Sequence, residues 1–175
     1  IIPIIIISGI SFITTIFAYK IMPEEIDKKS ISKVYSLWLL AIAGLLGLVT
    51  TGDAFNLFVF LEISSLASVA LVAMGAQKDK QALVAAYNYL IIGAVGATLY
   101  VIGVGLLYGI TGTLNMEDLT NRISDLNNNK ALIAGFGFMI IGIMVKAAVF
   151  PLHIWLPRAY AVSYTHLTLP TMLPV

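Results

Sequence analysis

The chain contains no cysteine. Disulfides, thiolate metal sites and cysteine-held iron–sulfur clusters are therefore excluded within it. Charge is also scarce: only 11% of the 175 residues are charged, against 59% hydrophobic. Charged residues make up about a quarter of an ordinary soluble domain, so that class is excluded. The net charge of +1 has no dense basic cluster behind it, which removes the electrostatic footprint of a nucleic-acid binder. Polar helix faces are missing too, and a soluble helical core would need them to face water. The glycines between Gly93 and Gly105 lie in an apolar run with no flanking strand, so they are not a phosphate loop. No His, Cys or carboxylate grouping has metal spacing and no nucleophile sits beside a base, so neither a metal nor a cofactor is expected.

What remains is a series of apolar runs separated by short polar islands. That pattern predicts an all-α, polytopic transmembrane bundle of about five spanning helices, because only helices and closed barrels satisfy their backbone in lipid. The chain opens inside the first run, Ile1–Tyr19. No basic segment precedes this run and no small-residue cleavage site follows it, so it is not a signal peptide. The chain reads as an internal piece of something longer. A polar loop is expected at Lys20–Ser36 and a short second span at Leu37–Val49, where Gly44 and Gly47 permit close helix approach. A tight turn at Thr50–Gly52 follows, with Asp53 as N-cap of a third span, Ala54–Met74. A charged loop at Gln77–Gln81 precedes the fourth span, Ala82–Ile110, in which Gly93, Gly96, Gly103 and Gly105 mark a packing helix. The loop Thr111–Lys130 has room for a short surface helix capped by Asn115, and Ala131–Phe150 forms the fifth span.

Two charges interrupt this apolar pattern. Glu62 lies nine helical steps after Asp53, about 14 Å at ~1.5 Å per residue, near the midplane of a ~30 Å hydrocarbon layer. A carboxylate there costs ~2.5–3.5 kcal/mol or more, so it has a partner or a task. Lys146 is the candidate partner, with apolar or glycine residues before it and uncharged residues after it as far as Arg158. Pro151 follows closely and predicts a break or kink near residues 147–151. Backbone groups freed by a break must meet protein or line a cavity, a recurring transporter design. A buried ammonium is disfavoured by desolvation and favoured by a nearby carboxylate, so moving or neutralising Glu62 would alter the readiness of Lys146 to release a proton. His153 either relays protons or hydrogen-bonds a freed carbonyl. Trp155 reads as a packing or interfacial anchor, and Asp53 as a cap. The bland alternative is a static Glu62–Lys146 ion pair in a structural scaffold.

Basic residues alternate between the two sides. Lys20, Lys28, Lys29, Lys33, Lys78, Lys80 and Arg158 fall on one side, and only Arg122 and Lys130 on the other. The positive-inside rule then places the segments 20–36 and 76–81 in the cytoplasm of a multi-pass cell-membrane protein.

The stretches TGDAFNLFVFLE around Glu62 and KAAVFPLHIWLP from Lys146 to Pro157 resemble the antiporter-like membrane subunits shared by Mrp-type cation/proton antiporters and respiratory complex I. TGTLNMEDL at Thr111–Leu119 and the spacing of the two charges fit that family as well. The GDAFNLFVF form looks most like the D-type subunit of the Mrp antiporters. The resemblance covers residues 1–161 and implies a fragment of a larger subunit with inverted repeats. It implies that Glu62 and Lys146 form a central proton-transfer pair and that the lysine's helix is broken. It also implies partners: a lipid bilayer, other subunits of a multisubunit complex, and protons, with sodium as a candidate second ion. In a complex I relative, the chain would be a non-redox, proton-pumping part of an NADH:quinone oxidoreductase. Two departures stand out. The following helix, which supplies a further protonatable residue in the family, is missing. Residues 162–175, VSYTHLTLPTMLPV, lack helical periodicity and read as a non-native tail, so His166 carries no functional weight.

Overall fold

The computed structural model describes residues 1–75, 81–124, 126, 129–153 and 155–157. Six helices follow one another: α1 Ile2–Glu25, α2 Lys28–Thr50, α3 Ala54–Met74, α4 Gln81–Thr111, α5 Met116–Ile123 and α6 Lys130–Lys146. Among the described residues there is no strand, only one isolated bridge between Asp53 and Asn115. By length and composition, α1 (over Ile2–Lys20), α2, α3 and α4 can each cross a membrane. The fifth apolar run stops early: α6 ends after 17 residues, about 25 Å at ~1.5 Å per residue, because the chain leaves the helix at Lys146 rather than at Phe150.

The loop expected at Lys20–Ser36 is not one. α1 continues to Glu25, α2 starts at Lys28, and only Ile26 and Asp27 separate them. Lys and Glu are good helix formers, so the helices run on where the apolar pattern stops. Extended Ile26 donates its N–H to the Met22 carbonyl at 2.9 Å and closes α1. The pair is stitched by Trp38, whose Nε1 donates to Thr15 Oγ1 at 3.1 Å. The loop expected at 77–81 falls largely outside the described residues, which resume at Gln81 with the start of α4.

α4 is the hub, packing on α6 and on α3, while α2 packs on α3 and α1 on α2. It holds Ala82, Ala85, Ala86, Ala97, Tyr100, Val104 and Leu107 buried. Its contact with α6 is a seam of paired glycines. A Cβ on Gly103 would lie 2.5 Å from the Gly135 carbonyl oxygen, and one on Gly142 would lie 2.6 Å from that of Gly96. Such approaches leave no room for any side chain, so backbone meets backbone. Gly44 makes the same kind of approach to Ser64 between α2 and α3, whereas a Cβ on Gly105 would meet nothing within 4 Å among the described residues.

One end of the bundle is knotted by backbone bonds. Asp53 caps α3, accepting from the Asn56 N–H at 2.7 Å, and Asn115 caps α5, accepting from Glu117 and Asp118 at 3.0 and 3.2 Å. The two capped turns pair, with Ala54 N–H donating to the Leu114 carbonyl at 2.8 Å and Met116 N–H to that of Gly52 at 2.9 Å. The Tyr100 hydroxyl donates to the Ala54 carbonyl at 3.1 Å. Arg122 donates to the Thr111 carbonyl at 2.8 Å and so covers the C-terminal end of α4. The turn before α3 and the turn before α5 are thus physically joined at this end.

Candidate functional site

α3 and α6 both lean on α4, and Glu62 and Lys146 meet across it. Lys146 Nζ donates to Glu62 Oε1 at 2.8 Å and to Ser65 Oγ at 3.0 Å. The lysine side chain is 9% exposed and the glutamate 26%. Glu62 and Ser65 stand three residues apart, one turn along the same face of α3. Gly93 on α4 leaves the space: a Cβ there would touch both the Ser65 hydroxyl, at 3.4 Å, and the ammonium, at 3.6 Å.

The lysine is the last residue of α6, where the negative end of the helix dipole favours a cation. The helix closes in a Schellman arrangement: Ala148 N–H donates to the Val145 carbonyl at 3.2 Å and Val149 N–H to that of Met144 at 3.0 Å. Ala148 holds φ at +51°, a left-handed conformation usually given to glycine and costing alanine about 1 kcal/mol. The break predicted within 147–151 therefore lies at the start of that window. Pro151 stands outside the helix, where proline commonly follows a helix end. The Val145 carbonyl also accepts from Trp155 Nε1 at 3.1 Å. Trp155 is buried and stacks on Tyr89 of α4, centroids 4.5 Å apart and planes 13° apart. It is a strap across the break rather than an interfacial anchor.

His153 does not join the pair by any hydrogen bond among the described residues. Its ring lies 5.5 Å from that of Phe150, and its buried Nδ1 has no hydrogen-bond partner among the described residues. Asp53 is spent as a cap. Two participants are not evident in the sequence. Ser65 looks like one small residue among Ser64, Ala67 and Ser68, although its spacing from Glu62 places it on the carboxylate's face. Trp155 carries an N–H that adds a second kind of donor to the Val145 carbonyl at the helix end.

The sequence profile described as NADH:quinone oxidoreductase/Mrp antiporter, transmembrane, matches residues 51–169, a stretch containing both charges and the break. The chain belongs to this family. Its match runs past Ala161 into the segment read as a tail, which lies outside the described residues. The chain is 53% identical over 131 residues to the N subunit of the NADH-quinone oxidoreductase of Desulforudis audaxviator, covering 75% of this chain and 25% of that protein. It is 33% identical over 157 residues to the D subunit of the Na(+)/H(+) antiporter of Alkalihalophilus pseudofirmus, covering 90% of this chain and 31% of that protein. The chain thus spans roughly a quarter to a third of these relatives. Among solved structures, the archaeal membrane-bound sulfane sulfur reductase matches with a TM-score of 0.67 and 40% identity over 72% of this chain and 25% of that one. The Mrp complex of Dietzia sp. matches with 0.61 and 34% over 72% and 23%, and Thermus thermophilus complex I with 0.61 and 31% over 73% and 27%. These NADH:quinone oxidoreductase/Mrp antiporter relatives are subunits of multisubunit membrane complexes, and this chain is a multi-pass membrane member of the same group.

Proposed function

We propose that the subunit containing this chain carries protons through the membrane on the Glu62–Lys146 pair, as the D-type subunit of a monovalent cation/proton antiporter of the Mrp class. The observation that carries the reading is the 2.8 Å contact between two charges on separate apolar helices, one of them at a helix end. A proton on Lys146 is held partly by the carboxylate; moving or neutralising Glu62 changes how readily the lysine releases it. A protonatable pair with two states of contact is the minimum equipment for stepwise transfer. Protons, with sodium as the candidate exchanged ion, would be the cargo, and the bilayer and neighbouring subunits the partners. His153 would take part only after a movement that brings it to the pair. The basic segment 20–36 and the segment 76–81 would face the cytoplasm.

A second reading keeps the same pair but places the subunit in an NADH:quinone oxidoreductase. It is favoured by the 53% identity to an oxidoreductase N subunit, against 33% to the antiporter relative. The redox chemistry would then reside in other subunits. Proton translocation driven by NADH in inverted vesicles, against exchange driven by an imposed sodium gradient, separates the two.

In the full-length subunit within its complex, Glu62→Ala and Lys146→Ala should each lower proton translocation by about a hundredfold or more, the scale of a lost positioned proton donor. The complex should still assemble. Translocation at the normal rate in either variant would end this reading.

A further inference from the structure

We infer that Ser65 is a positioning residue for Lys146, holding the lysine in place through both of its protonation states; the inference rests on the proposed proton-carrying role of the pair. Glu62 holds Lys146 only while the carboxylate is ionised and near. Once Glu62 takes a proton or turns away, the charge attraction is gone. The Ser65 hydroxyl, 3.0 Å from Nζ on the same helix face, does not depend on that charge. A hydroxyl both accepts and donates, and its hydrogen rotates to suit. It therefore accepts from the ammonium when Lys146 is charged. When Lys146 is neutral, its nitrogen has a lone pair and the same hydroxyl donates to it. The contact survives proton release with its polarity reversed, and the amine stays where the next proton must find it.

The neighbourhood supports this division of labour. Ser64 and Ser68, the other hydroxyls nearby on α3, are committed to helix carbonyls: Ser64 to Leu61 at 3.1 Å and Ser68 to Ser64 at 2.8 Å. Ser65 has the lysine instead. Gly93 keeps the opposite side clear, since a Cβ there would sit against the hydroxyl and the ammonium together. A long flexible side chain at the C-terminal end of a helix has many rotamers to lose, so a second anchor on a different chemical principle from the first has a purpose.

The test uses the full-length subunit assembled in its complex, with proton translocation measured in vesicles for Ser65→Ala, Ser65→Thr and, in parallel, Lys146→Ala. The expected result for Ser65→Ala is a maximal rate lowered about tenfold, as for a lost hydrogen bond to a charged group, at unchanged complex abundance. Ser65→Thr, which restores the hydroxyl, should recover most of the rate. A normal rate in Ser65→Ala while Lys146→Ala is dead would overturn the inference alone. A rate loss that threonine fails to recover, accompanied by falling complex abundance, would show a packing role and overturn it as well. A normal rate in Lys146→Ala would overturn the parent reading and this inference together.

Discussion

Among the described residues, two acid–base pairs of nearly equal length stand in opposite settings. Lys146–Glu62 closes at 2.8 Å between two apolar helices, with the lysine 9% exposed; Arg122–Asp118 closes at 3.0 Å on one turn of α5, its side chains 51% and 42% exposed. Distance alone would rank them together. The surroundings separate them: an exposed pair gains little over its hydrated parts, whereas a pair withdrawn from water leaves a costly orphan if one member is removed. The outer pair has a local task, because Arg122 also covers the Thr111 carbonyl and joins α5 to the end of α4. The inner pair makes no such local closure. It joins α3 to α6 and sits where the apolar helix α6 ends, and whether the charges act or only hold is what separates the proposed role from a packing pair.

The strongest way to break this comparison is to remove one member of each pair in the full-length subunit. Lys146→Ala should abolish translocation, by about a hundredfold or more. Arg122→Ala should leave most of it, and proton uptake by vesicles reads both. Next comes the seam that brings the inner pair together. Gly142→Val would force a side chain against the Gly96 carbonyl and the Tyr100 backbone, where even a Cβ lies at 2.6–2.7 Å. Overpacking of this kind costs about 1–3 kcal/mol or more. Less assembled complex, seen on native gels, is the expected outcome, with translocation falling in proportion.

The smallest effect belongs to the outer pair. Hydrogen bonds from Arg122 and then from Thr113 hold the Asp118 carboxyl below the usual aspartate range. A lowered folded value means the carboxyl stabilises α5 at pH above the unfolded range, and this contribution fades as pH falls through the folded value. Amide protection in α5, taken relative to the intrinsic exchange rate at each pH, should therefore fall slightly at acid pH in the native protein, and Asp118→Asn should flatten that dependence. A large change in translocation on this substitution would contradict the contrast between the pairs.

Much of this arrangement is legible in the sequence, and for specific reasons. A carboxylate at membrane depth is so costly that Glu62 all but demands a partner, and Lys146 is the charge available within an apolar run. Asp53 and Asn115 announce their helices because their side chains satisfy amides that helix geometry leaves orphaned. The α1–α2 junction is hidden because lysines and glutamates that look like a loop by polarity are also good helix formers. Ala148 is hidden because a left-handed helix end normally advertises itself with glycine, and here the closing bonds and Trp155 hold an alanine in that shape. Ser65 is hidden by its kind: a serine in a small-residue stripe reads as packing until its partner is placed.

The proposed proton carriage requires the inner charges to act as charges. The direct measurement is proton translocation by the full-length subunit carrying Glu62→Leu together with Lys146→Met, a volume-conserving apolar replacement of the pair. A pair that only fixes packing can be exchanged this way at little cost or with a gain in stability. The expected result is an assembled complex that no longer moves protons. An assembled complex that moves them at the normal rate would contradict the proposed role and leave Glu62 and Lys146 as structural residues.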